Sequence, residues 1–204
     1  MKKKVDNIWH KLKVGQFQEI QTLGHLEPFD QLKTIVAIVD ELSMSKVDEM
    51  PMWDVQKRGV EIMDQLQTME HAKWKTHVYL DGTRYKIIRM FDEITTGQFV
   101  EYNHWIHGKT PAEIIGNLHL IIATLLTKHK YFGKCEPYDG TAHKERSELV
   151  QNHMKIIDAM GIANFFLATW IQFVNNIPEF SKVLMKQAET EMTKQPHLSK
   201  ITDG

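Results

Sequence analysis

The pair Asp81-Gly82, set between His77–Leu80 and Thr83–Ile88, constrains this chain more than any other stretch. Both residues tolerate positive φ, so the strand-favouring runs on either side read as a β-hairpin closed by a two-residue turn. A lone hairpin is marginal in water, so this one must pack on helices or join strands from another subunit. The remaining patterned stretches read as helix. The fold class is therefore mainly α (α+β): a helical bundle-like body with one β-hairpin near residues 76-89. Two regions follow, an N-terminal helical half at 1-72 and a hairpin plus C-terminal helical half at 73-204, packed as one unit.

Helix periodicity carries the rest. Phe29, Leu32, Ile35, Val36, Val39 and Leu42 form one apolar stripe, with Pro28 suited to the first turn. Ser45 reads as the N-cap of a short element stopped by Pro51, and a helix from about Trp53 to Met69 uses Val60, Met63 and Leu66 to pack. Thr95 with Gln98 reads as a capping box, placing Gly97 in the first turn and Phe99 and Tyr102 on one buried face. Thr110-Pro111-Ala112-Glu113 is a stronger start, predicting a central helix that buries Ile114, Ile115, Leu118, Ile121, Ile122 and Leu125. Gly133 to Gly140 is a loop. Thr141 to about Ala159 and Ile162 to Val174 read as two helices, or one bent at Gly161. Pro178 begins a last helix with Phe180, Val183, Leu184 and Ala188 at core spacing, and a loose tail follows.

One short string occurs almost twice: GQFQE at Gly15–Glu19 and GQFVE at Gly97–Glu101. The copies are offset by 97 − 15 = 82, and the helices after them by 118 − 32 = 86, from Leu32 to Leu118. A four-residue insertion aligns both parts, with Ala37 matching Ala123. The sequence thus offers a candidate internal duplication of a short-helix/long-helix unit, or two uses of one helix-start solution.

Composition removes several function classes. Hydrophobic residues make up 42% of the 204, enough for a real core. Lysine and arginine number 25 against 26 acids, a formal charge of −1, so the footprint of wholesale nucleic-acid binding is missing. Cys135 is the only cysteine, which excludes an intramolecular disulfide. The basic N-terminus lacks the apolar run of an export signal. The most apolar stretch, Ile156 to Val174, holds Asp158, Asn164 and Gln172 and reads as a buried helix rather than a membrane span.

His104 and His107, with His119 and Cys135 downstream, supply ligands of the right type for one metal ion, but no HExxH or paired CxxC accompanies them. Histidines at a helix C-terminus also interact with its dipole without metal. Asp92, Glu93, Glu145, Glu148 and Asp158 form no spacing diagnostic of acid/base catalysis, and no phosphate-cradling glycine loop is present. No catalytic residue, metal or cofactor is assigned. The remaining signal is five tryptophans and 11 methionines, most of which are expected in the core. Trp105, Tyr131 and the hairpin tyrosines Tyr79 and Tyr85 are candidate anchors for protein–protein contact.

The run from YLDGTRYKI through FDEITTGQFVEYNHWI and NLHLIIATLL to the paired phenylalanines resembles structural and assembly proteins of tailed bacteriophages. In these, a small hairpin leads into a helix opening Thr-x-Gly-Gln-aromatic, then a Leu-His-x-Ile-x-Ala-x-Leu helix and a late double phenylalanine. The matching positions are Thr95 or Thr96, Gly97, Gln98, Phe99, Glu101, Leu118, His119, Ile121, Ala123, Leu125, Phe165 and Phe166. SMSKVDEMPMWDV is also similar to a stretch common in tail-assembly proteins. The resemblance implies a non-enzymatic head–tail component, either built into the virion or acting as an assembly chaperone in the host cytoplasm. Its partners are then other phage structural proteins in a homo-oligomer or larger assembly, with no nucleic acid or membrane. Two other readings stand beside it: a small metal-dependent helical enzyme using His104 and His107, and a regulator binding one host protein.

Overall fold

The computed structural model describes residues 7–68, 72–88, 93–129 and 135–176, with side chains to residue 168. The order is a 3-10 turn Ile8–His10, α1 Val14–Gln21, a 3-10 turn Leu23–His25, α2 Pro28–Val39, α3 Met44–Asp48 and α4 Met52–Gln67. Then come β1 His77–Leu80, β2 Thr83–Ile87, α5 Thr96–Ile106, α6 Pro111–Gly116, α7 Leu118–Leu125, β3 Leu126–Lys128, α8 His143–His153 and α9 Ile156–Asn176. One compact unit runs through Phe165, spanning both sides of residues 72 and 73; a second begins at Phe166, and its described part is the rest of α9. The mainly α character and the hairpin are as the sequence predicts. The helix expected from Pro178 and the tail beyond it lie outside the described residues, as does Tyr131.

Asp81 and Gly82 have φ of 45° and 72°, the mirror-image turn whose twist matches that of the strands it joins. Leu80 pairs with Thr83 and Val78 with Tyr85 across it. Val78, Leu80, Tyr85 and Ile87 are buried beneath the sheet, whereas Tyr79 and Arg84 face out. A third strand from the same chain, β3, pairs antiparallel with β2 from Ile87↔Leu126 to Tyr85↔Lys128, so the order is β1-β2-β3. The pattern of α7 reads straight into β3 as helix; the free edge of β2 overrides it, because strand propensity depends on the neighbour available.

The expected central helix is two. After the Thr110 capping box, closed by Glu113 Oε2 on the Thr110 N–H at 2.8 Å, α6 stops at Gly116 and α7 restarts at Leu118. Gln18 reaches from α1 to donate its Nε2 to the Ile115 and Gly116 carbonyls at 2.9 and 2.7 Å, satisfying groups that the break leaves open. Leu118, Ile121, Ile122 and Leu125 are buried as predicted, but Ile114 and Ile115 are only half-buried.

Other expectations shift by small amounts with identifiable causes. Ser43, not Ser45, caps α3, accepting from the Lys46 N–H. In α4 the inward face is Val55, Gly59 and Ile62, leaving Val60 46% exposed. Gly59 sets that face, since a Cβ there would lie 2.9 to 3.3 Å from the Leu32 side chain of α2. The break in the C-terminal helical stretch falls at Met154 and Lys155, and α9 runs through Gly161 without interruption. There the Val14 N–H bonds the Met154 carbonyl and the Ile156 N–H bonds the Leu12 carbonyl, at 3.0 and 2.8 Å, holding this linker to the start of α1.

The echo is one device built twice. In each copy glycine and glutamine are the second and third helical residues, and the N-cap N–H donates to the glutamine Oε1: Lys13 to Gln16 at 2.9 Å, Thr95 to Gln98 at 3.1 Å. Each amide's Nε2 then donates to a carbonyl at the end of a later helix, Ile38 of α2 at 3.0 Å and Thr124 of α7 at 2.8 Å. Ile38 and Thr124 differ by 124 − 38 = 86, the same offset that aligns Leu32 with Leu118. Ile35, Val36 and Ala37 are buried in the helix after the first copy, and Ile121, Ile122 and Ala123 in the helix after the second. Contrary to expectation, the inward pair on α5 is Gln98 with Tyr102, both 1% exposed and one turn apart, while Phe99 is half-buried.

Candidate functional site

Among the described residues, the largest collection of buried polar side chains sits where α5, α7 and α8 meet. The last carbonyls of a helix have no partner inside it, and those of α7 are enclosed because β3 follows immediately. Three side chains serve them and the turn before. Gln98 donates to Thr124 O, Arg146 Nε to Ala123 O at 3.3 Å, and His143 Nε2 lies 3.1 Å from Leu120 O. A carbonyl only accepts, so this contact is a hydrogen bond when His143 Nε2 carries a proton. Arg146 is 8% exposed with no carboxylate in ion-pair contact among the described residues. It is held by the Ala123 and Asp139 carbonyls, the dipole of the α7 C-terminus and the Tyr138 ring, whose centroid is 4.8 Å from its guanidinium carbon.

Glu101 of α5 faces this group. It accepts a hydrogen bond from the Tyr138 hydroxyl, and its Oε2 is 3.9 Å from His143 Nε2. Burial, then the bond to Glu101, pushes the Tyr138 phenol well above its ordinary range, and burial does the same to Tyr102. Both stay protonated at neutral pH. Glu101, Tyr138, His143 and Arg146 thus each have an intramolecular partner, and Gln98, His143 and Arg146 together serve the carbonyls that end α7.

The residues singled out from sequence separate here. Thr95, Gly97, Gln98 and Phe99 open α5, and Thr110, Pro111 and Glu113 open α6, all as helix-start chemistry. Trp105 is half-buried; its ring stacks parallel to His143 at 6.3 Å, and its enclosed indole N–H has no hydrogen-bond partner among the described residues. Tyr85 is 5% exposed beneath the sheet, so it is withdrawn as a contact anchor; Tyr79, at 69%, stays exposed. Among the described residues, no group of three His, Cys, Asp or Glu side chains is arranged to hold a metal. His104 packs edge-on to Trp105, His107 is the C-cap of α5, His119 lies against Gln18, and Cys135 pairs through its backbone with His129. Among the described residues, no helix is long and apolar enough to cross a membrane.

A second polar region is a groove of about 700 Å³ lined by Gln16, Gln18, His119, Gln151 and Asn152 among others. Gln18 Nε2 is 3.0 Å from His119 Nδ1, and Gln18 Oε1 is buried without a partner among the described residues. Burial, reinforced by the charge of nearby His143, lowers the His119 pKa from the ordinary 6.5. The unfolded chain then binds a proton at His119 that the folded chain refuses. Its contribution is fully present above pH 6.5 and is lost as pH falls from there towards the lower folded value. The urea midpoint should accordingly drop on acidification below pH 6.5, and His119→Gln should flatten that slope. A wild-type midpoint constant between pH 7 and 5 contradicts the assignment.

The sequence reading missed Tyr138, His143 and Arg146 as a group. The available signal was an arginine and a histidine at i and i+3 on a helix whose other face is polar, which is too common to single out. Comparison of the chain with family models, curated proteins and solved structures gives no match.

Proposed function

We propose that the chain is a non-enzymatic assembly component of a tailed bacteriophage, in the virion or as a tail or head–tail assembly chaperone, working through protein–protein contacts. The phage part of this reading rests on the sequence resemblance; the observation that carries the protein–protein contacts is the surface of α2, α3 and α4. Among the described residues, eight large hydrophobic side chains are exposed, and five of them, Phe29, Met44, Met52, Trp53 and Val60, are on these three helices. Trp53 is 71% exposed and Met52 67%, side by side in the first turn of α4. Tryptophan and methionine are enriched in interface cores, and burying one such side chain is worth about 2 kcal/mol. Supporting the non-enzymatic half, His143 and Arg146 are engaged with carbonyls at the end of α7, and Glu101 with the Tyr138 hydroxyl.

The double substitution Met52→Asp with Trp53→Asp tests it. Both side chains point into solvent, so the fold should survive with an unchanged circular dichroism spectrum. Recovery of phage structural proteins on the tagged chain from infected cells should fall at least tenfold. Unchanged recovery by the folded variant removes this surface from the account.

A further inference from the structure

The free edge of the sheet deepens this reading, resting on it only in taking the partner to be a protein. Among the described residues β1 is an edge strand. Leu80 and Thr83 flank the two-residue turn as a hydrogen-bonded pair, so alternation makes Val78 with Tyr85 the next, and the Ile87 N–H bond to the Thr76 carbonyl at 3.0 Å continues the series. The N–H and C=O groups of His77 and Tyr79 therefore point away from β2, and no described residue bonds them. A row of this kind is a template for another strand.

Beside that edge lies a groove of about 260 Å³, lined by Lys75, His77, Tyr79, His153, Lys155 and Asp158 among others. Asp158, its only acid among the described residues, is paired with Lys75 at 2.7 Å. Lys155 has no ion pair among the described residues. Neither has Arg84, exposed opposite Tyr79 on the outer face. The lining of this groove thus carries two lysines against one aspartate, a net positive charge. Edge-to-edge pairing with a second copy would bring two such grooves together, which like charge disfavours.

We propose that the free edge of β1 receives an extended, acidic segment of a partner protein as a fourth strand. The main chain of His77 and Tyr79 supplies the hydrogen bonds, and Lys155 and Arg84 select for carboxylates. Such a partner strand carries Asp or Glu on alternate residues.

The test uses the full chain and a fluorescein-labelled eight-residue peptide alternating Glu and Val, followed by anisotropy. Saturable binding is expected. It should weaken at least tenfold when alternate peptide nitrogens are methylated, when Lys replaces Glu in the peptide, and in Lys155→Glu. Tyr79→Pro should have the same effect, since proline is tolerated where the lost N–H faces away from the ladder. No saturable binding overturns the proposal, and so does equal binding of the methylated peptide, which means charge attraction without strand addition. A concentration-dependent dimer abolished by Tyr79→Pro overturns it in favour of a second copy. If Tyr79→Pro does not fold, the methylated peptide on the wild-type chain decides. Because the purified chain and a synthetic probe suffice, failure here is distinct from failure of the assembly role.

Discussion

Gln98→Ala should lower the unfolding free energy by about 3 kcal/mol, and the corresponding change at the first copy, Gln16→Ala, by about 1 kcal/mol. Both amides close a helix start and tie it to the end of a later helix, so the difference lies in burial. Gln98 is 1% exposed, and its removal leaves the Thr124 carbonyl enclosed without a donor. That orphaned acceptor alone costs roughly 1–3 kcal/mol, to which the lost cap adds about 1. Gln16 is half-buried at the surface, so water replaces most of what alanine removes. Urea unfolding of the two variants measures both. Equal losses would mean that the amide tie to α7 contributes nothing beyond the cap.

Gly161→Val should cost about 3 kcal/mol, and Gly161→Ala a smaller amount of the same sign. On helix propensity alone alanine gains up to roughly 1 kcal/mol over glycine. Sterics reverse this: a Cβ at Gly161 would sit 2.9 Å from the Lys73 carbonyl oxygen and 3.3 Å from the Ala72 Cβ. The first is main chain and cannot rotate away. Gly97 provides the contrast, since nothing lies within 4 Å of its Cβ position. Gly97→Ala should be neutral or stabilising by up to roughly 0.5 kcal/mol. Thermal unfolding of the three variants reads this out, and a stabilised Gly161→Ala would show that the contact is soft.

Local chemistry explains which parts of the fold were legible. Asp81-Gly82 specifies its turn within two residues, and the capping boxes at Thr95 and Thr110 within four, so neither needs the rest of the chain. What escaped were decisions made at a distance. Leu126 continues the apolar pattern of α7, and only the partner edge of β2 makes it strand. The stop at Gly116 is satisfied by Gln18, nearly a hundred residues earlier. Gly161 looks like a helix weakness until Lys73 is placed against it. The near-repeat of GQF was visible as a string, and its meaning was the carbonyl that each amide reaches. Of the contact candidates, burial separated Tyr79 from Tyr85, as the register of a hairpin does; the cluster around His143 and Arg146 was invisible because its partners are main-chain carbonyls.

The central claim is that this chain acts by being part of an assembly. Its most direct test is quantitative mass spectrometry of complexes recovered on the tagged chain from phage-infected cells. A phage structural protein present in fixed copy number relative to the chain is the result expected. Recovery of the chain alone, or with a host protein and no phage structural protein, contradicts it.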